Sequence, residues 1–291
     1  MNNYKTNMKK ICLVAHDAGG AELISNWGIK KKNIIFSVDG PAKNIFQNNI
    51  GSFKNHNFNN AVDLSTTVIC GTGNYDYEKK CMLLTLKKKK KLIVWLDNWI
   101  NYKKRFYFKK KKIIPNEIWV NDNYSKKKII KIIKTKIILK KNYYLQNQKK
   151  EIKKYKKKNK LNFLYLAGLI FNKKLNNYSL IEIQSIKNFF NKILELKNKC
   201  KQKINVTIRI HPGENKKRFI SYFCNYKFRL SSKKKLIKDL LWSSHIFGAN
   251  TFAMYVANNL GLKPIFCGES KTNKFLKDTK MNDLKKLINF L

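Results

Sequence analysis

Residues 11–20 read ICLVAHDAGG, five apolar residues that stop abruptly at a histidine, an aspartate and two glycines. Two later stretches repeat the pattern: VTIRIHPGEN at 206–215, and HIFGANT at 245–251. In open α/β sheets ligands bind beyond the carboxyl ends of the strands, so polar and glycine-rich residues at these places mark where a site should lie. One such loop falls early and two fall late, which implies two α/β halves with a cleft between them.

Working outward from Ile11–Ala15, strand-like runs recur at Ile34–Val38, Thr67–Cys70, Leu92–Leu96 and Ile118–Val120, separated by helical stretches. After Tyr144 the chain turns strongly polar (YLQNQKKEIKKYKKKNK), and strands resume at Phe163–Ala167, Val206–Ile210, Ser244–Phe247 and Pro264–Cys267. Strands alternating with helices predict parallel, doubly wound sheets. The expected organisation is an N-terminal Rossmann-like domain over 1–145, a lysine-rich connection over 146–160, and a C-terminal Rossmann-like domain over 161–291.

The chain has 291 residues, 43% of them apolar, enough to bury real cores. Its formal net charge is +46, yet only Arg105, Arg209, Arg218 and Arg229 are arginines among 63 basic residues. Abundant Lys, Asn and Ile together fit an AT-rich coding sequence that fills solvated positions with lysine. A groove reading nucleic acid would favour arginine for bidentate contacts, so no specific nucleic acid is expected. Clusters of lysine do suit peripheral attraction to an anionic membrane.

The six cysteines show no CxxC pair or metal-ligand spacing, and Cys12, Cys70 and Cys267 sit inside apolar runs as small core residues. With no signal peptide and no apolar stretch near 18 residues, the expected location is the cytoplasm, with peripheral association on the inner face of the membrane as an option. Neither GxGxxG nor GK[ST] is present, which argues against a dinucleotide or ATP site.

Each loop carries its own chemistry. His16 and Asp17 place titratable groups at a strand end, and Gly19 and Gly20 would let a ligand approach the backbone. Pro212 keeps His211 extended at the rim of its sheet, with Arg209 two residues back on the same face and Glu214 after the turn. Asn250 or Thr251 caps a helix whose start, rich in exposed N–H groups, suits a phosphate. Asp97 ends another buried strand, and the following Trp99, Tyr102 and Phe106 either stack on a sugar face or pack under a long loop.

His211-Pro212 and Asn250-Thr251 match, in type and order, motifs of bacterial glycosyltransferases of the GT-B class, and residues 204–267 resemble the sialyltransferase-like and capsule-polymer members. The resemblance implies a nucleotide-sugar donor held by the C-terminal domain, with a surface-polysaccharide or lipid-linked glycan as acceptor on the N-terminal side. It implies that Gly19, Gly20, Arg209, His211, Glu214, Asn250 and Thr251 serve donor binding. Asp17 or Asp97, with His16 nearby, would deprotonate the acceptor hydroxyl. Neither metal nor cofactor is expected. The same fold also allows a sugar-nucleotide epimerase, which would turn over its substrate without an acceptor; the further alternatives are a noncatalytic protein or a nucleic-acid-binding basic protein.

Overall fold

The computed structural model describes residues 10–73, 75–99, 101–152, 160–168, 176–199, 203–233, 235–249, 251–268 and 282–283. The chain divides into two compact units, residues 1–144 and 145–291. The first unit runs β1 (Ile11–Ala15), α1 (Ala18–Gly28), β2 (Ile34–Val38), α2 (Ala42–Ile50), α3 (Phe58–Leu64), β3 (Thr67–Cys70), α4 (Asp76–Lys87) and β4 (Lys91–Trp95). It continues with α5 (Tyr102–Arg105), the small hairpin β5 (Tyr107–Phe108) and β6 (Lys111–Lys112), then β7 (Glu117–Val120), α6 (Asn123–Ile129) and β8 (Lys136–Leu139).

Its six-stranded sheet has the order β2-β1-β3-β4-β7-β8, with every pair parallel. The period-2 alternation of side chains divides the core in two. Cys12, Val14, Val68, Cys70, Leu92 and Val94 pack on one face against Val62, Cys81 and Met82 from α3 and α4. Leu13, Ala15, Ile69, Ile93 and Trp95 pack on the other against Leu23, Ile24 and Phe46 from α1 and α2. Burial on both faces explains why these strands read as continuous apolar runs. The edge strand β8 escaped the sequence reading because it lies among lysines and exposes both of its ends.

The second unit holds the rest of α7 (Tyr143–Ile152), then β9 (Asn162–Leu166), α8 (Leu180–Lys199), β10 (Asn205–Arg209), α9 (Lys216–Tyr222) and β11 (Arg229–Leu230). It ends with α10 (Leu236–Trp242), β12 (His245–Gly248), α11 (Phe252–Asn259), β13 (Ile265–Phe266) and β14 (Asn282–Asp283). This sheet is also parallel, in the order β11-β10-β9-β12-β13-β14. One face is aromatic: Phe163, Tyr165, Phe247 and Ile208 pack on Phe189 and Phe190 of α8 and Phe219 of α9. Of the connection expected over 146–160, residues 146–152 belong to α7 and 153–159 lie outside the described residues.

Both units are Rossmann-like, and each has a point where the strand order reverses. In the first sheet β1 lies between β2 and β3; in the second β9 lies between β10 and β12. At such a point adjacent connections depart to opposite sides of the sheet and leave a crevice beyond the strand ends. His16-Asp17 follows β1 and Gly71-Thr72-Gly73 follows β3, so both flank the first crevice. Gly248-Ala249 lies at the end of β12 beside the second.

Candidate functional site

In the first unit, three carboxyl groups meet at the carboxyl edge of the sheet: Asp17 after β1, Asp97 after β4, and Glu78 from the first turn of α4. Glu78 is 1% exposed. Its Oε1 accepts from the backbone N–H of His16 at 2.8 Å and of Asp17 at 3.4 Å, tying α4 to the β1 loop. Its Oε2 is buried without a hydrogen-bond partner among the described residues. Burial pushes the Glu78 carboxyl up to about 7, and the charge of Asp17 pushes in the same direction.

Asp17 occupies the N-cap position of α1, but its side chain makes no capping bond. Instead Asp17 Oδ1 pairs with His16 Nδ1 at 2.9 Å, and the imidazole lies against Tyr75 with ring centroids 4.4 Å apart. A Cβ placed on Gly73 would come within 2.8 Å of both Asp17 Oδ2 and Glu78 Oε2, so glycine is what lets the β3 loop pass over the two carboxyls. The side chains of His16 and Asp17 remain 13% and 24% exposed, which leaves this end of the cluster within reach of a ligand.

Asp97 is held differently. Its Oδ1 accepts from Arg105 Nη1 at 2.8 Å and from Thr72 Oγ1 at 3.3 Å, with both charged side chains 10% exposed or less. The same guanidinium donates to Thr72 Oγ1 at 2.6 Å and to the Thr72 carbonyl. Asp97 Oδ2 would overlap a Cβ on Gly19, while one on Gly20 would stand 3.3 Å from Gly71 Cα. The glycines expected to admit a ligand to the backbone therefore admit neighbouring protein: Gly19 the Asp97 carboxylate, Gly20 the β3 loop. Trp99, Tyr102 and Phe106 are 8%, 6% and 0% exposed, which decides for packing over sugar stacking.

In the second unit, His211 follows β10 and Thr251 precedes α11, so they flank β9 at its carboxyl edge. The Gly213 N–H donates to His211 Nδ1 at 3.0 Å, and a neutral ring accepting there carries its proton on Nε2. Thr251 Oγ1 accepts from Met254 N at 3.1 Å and caps α11. Replacing Thr251 with alanine is expected to lower the unfolding free energy by about 1 kcal/mol, and with serine by less, in urea titrations of the two variants. Asn250 lies outside the described residues.

The other two expected donor ligands are turned inward. Arg209 donates to Asp239 Oδ2 at 2.6 Å and to the Lys233 carbonyl at 2.8 Å, and Asp239 also accepts from Ser231. Glu214 Oε1 accepts from Tyr178 Oη at 3.2 Å and Asn215 N at 2.8 Å and lies 3.6 Å from Arg218, its side chain 1% exposed. These contacts brace the loop after β10. A cavity of about 1160 Å³ runs along β9 to β11, walled by Lys160, Lys197, Lys203, Lys227 and Arg229, and none of the three strand-end loops lines it. Among the described residues no cluster of His, Cys, Asp or Glu is arranged to hold a metal, and no helix is long and apolar enough to cross a membrane.

Sequence reasoning missed Glu78, Thr72 and Arg105. An acid in the first turn of a helix looks like a complement to the helix dipole, and nothing local shows that Glu78 turns inward. Arg105 did carry a signal: in a chain so biased to lysine, an arginine points to a place that needs the planar fork.

No protein-family model matches the chain, and no curated protein matches it. Solved structures do. A Listeria monocytogenes protein assigned as a UDP-N-acetylglucosamine 2-epimerase is 9% identical with a TM-score of 0.65, covering 97% of this chain and 86% of its own. The UDP-GlcNAc 2-epimerase of Methanocaldococcus jannaschii, in complex with UDP-GlcNAc and UDP, is 15% identical (TM-score 0.61, 96% of this chain and 91% of its own). That of Neisseria meningitidis, bound to UDP-GlcNAc, is 12% identical (TM-score 0.59, 97% and 90%). At these identities the likeness establishes the fold, two Rossmann-like units as in these enzymes. It also corrects the sequence reading: these structures are of UDP-GlcNAc 2-epimerases and none is a sialyltransferase, which favours the alternative, a sugar-nucleotide epimerase of the same fold, over the expected glycosyltransferase.

Proposed function

We propose that the chain is an enzyme that epimerises a nucleotide sugar, with a UDP-linked N-acetylhexosamine as the substrate class and no metal in its reaction. The observation that carries this reading is the likeness of fold across nearly the whole chain to UDP-GlcNAc 2-epimerases, two of them bound to UDP-GlcNAc. Inverting a carbon that bears hydrogen requires a group to take a proton and a group to return one. Asp17 is the base in this reading. It is the more exposed of the two strand-end aspartates, whereas Asp97 has its Oδ1 bonded to Arg105 and Thr72 and its Oδ2 packed against Gly19. His16, bonded to Asp17, relays or holds the second proton. In the second unit His211 Nε2 and the start of α11 supply donors of the kind a diphosphate needs.

Purified protein is expected to be stabilised against heat by UDP and UDP-GlcNAc and not by CMP or GDP. In deuterium oxide, without any acceptor, proton NMR should show a second UDP-sugar that carries deuterium at the inverted carbon. Asp17→Asn should lower the turnover number by roughly 10²- to 10⁴-fold. Absence of both stabilisation and turnover with UDP-sugars would overturn the reading.

A further inference from the structure

The buried carboxyl that the sequence did not reveal has a role of its own. Glu78 sits behind Asp17, seen from the exposed end of the cluster. One of its oxygens is fully used by the His16 and Asp17 N–H groups, and the other, without a partner among the described residues, points at the same spot over Gly73 as Asp17 Oδ2. Two ionised carboxylates this close in a buried setting repel each other, and a buried acceptor without a donor is destabilising. A single proton between them removes both penalties, since a protonated carboxyl can donate as well as accept.

We propose that Glu78 and Asp17 work as one carboxyl pair that carries a single proton, with Glu78 as the positioning residue that holds this proton behind Asp17. The pair takes a second proton when Asp17 removes one from the substrate and returns to one when that proton leaves. Its charge thus alternates between minus one and zero and never reaches minus two during turnover. This deepens the proposed epimerase and rests on that reading only where turnover is concerned.

The surroundings of Glu78 offer little else to share its proton. His16 and Asp17 face it from the β1 loop. From β3, Cys70 donates its thiol to the Glu78 carbonyl, and burial holds that thiol protonated. On α4 itself Tyr77 is pushed up to about 12, mainly by burial, and its hydroxyl bonds Ser37. Gly71, Thr72 and Gly73 add no ionisable group. Burial together with Asp17 raises the affinity of Glu78 for a proton, as the pair requires.

The test has two arms. In protein labelled with ¹³C at the glutamate carboxyl carbons, one resonance should titrate near neutrality, vanish in Glu78→Gln, and move down by about one pH unit or more in Asp17→Asn. Glu182, which burial also pushes up to about 7, is told apart by its survival in Glu78→Gln. A Glu78 resonance that titrates in the ordinary carboxylate range, or that ignores Asp17→Asn, overturns the pair whether or not the protein turns over a UDP-sugar. In the second arm the turnover number with UDP-GlcNAc should fall above neutral pH in the wild type, and Glu78→Gln, which cannot ionise, should lack that fall. Glu78→Ala, which also drops both backbone hydrogen bonds, should be slower at every pH. If Glu78→Gln keeps the wild-type pH dependence, the proposal fails. If no UDP-sugar is turned over while the first arm succeeds, the pair stands and the epimerase reading falls.

Discussion

Arg105→Ala should cost about 3–5 kcal/mol of unfolding free energy, because it breaks a buried ion pair. The reason lies in what the guanidinium leaves behind. Asp97 and Arg105 are 10% and 8% exposed, and Arg105 also satisfies the hydroxyl and the carbonyl of Thr72. Without it a carboxylate stays in a place water barely reaches, with only the Thr72 hydroxyl, among the described residues, to donate to it. Urea titration gives the measurement, and adding Asp97→Asn to the same chain should return part of the loss, because the stranded charge is then gone. A loss under 1 kcal/mol would mean that Asp97 relaxes into solvent, as partners of surface ion pairs do.

The second large effect depends on pH. Glu78 is raised from 4.5 to about 7 in the folded chain, so the native state keeps a proton that the unfolded state releases. Where the native state binds more protons, stability falls as pH rises. The penalty is absent below about pH 4.5, grows through the interval, and is complete above about pH 7, reaching roughly 3 kcal/mol. Glu78→Gln keeps the side-chain shape and does not titrate. The difference between wild type and variant, taken from urea titrations at pH 4.5 and pH 8, should therefore move by about that amount in favour of the variant. Self-repulsion from the net charge of +46 affects both proteins alike and cancels in the difference. A constant difference would show that Glu78 finds water or another donor.

Much of this fold was legible because parallel strands buried on both faces are written as unbroken apolar runs. Ile11–Ala15 and Thr67–Cys70 were read to the residue, and the loops after them stand at the first crevice. The α11 start at Thr251 was legible for the same local reason, a capping hydroxyl before an apolar helix face. What failed was whatever depends on partners distant in sequence. Glu78 meets His16 across 62 residues and Arg209 meets Asp239 across 30, and neither meeting leaves a trace in local spacing. Gly19 and Gly20 were expected to admit a ligand, and the sequence could not say that the Asp97 carboxylate and the β3 loop would lie against them. The reaction class failed for a chemical reason. A strand-end histidine and a capped helix start suit a phosphate, and every reaction of a nucleotide sugar has a phosphate to hold.

The two basic residue types divide their work. Among the described residues, Arg105, Arg209 and Arg218 sit in ion pairs, with Asp97, Asp239 and Glu214. Lysines mostly cover the outside; Lys90 is an exception, its ammonium donating to the carbonyls of Val62, Asp63 and Ser65 at the end of α3. A reagent that acetylates amines and spares guanidinium groups would therefore strip the coat and leave the arginine joints. The treated protein should migrate in an electric field as a different molecule and lose its attraction for polyanions, while keeping the fold that the arginine pairs brace.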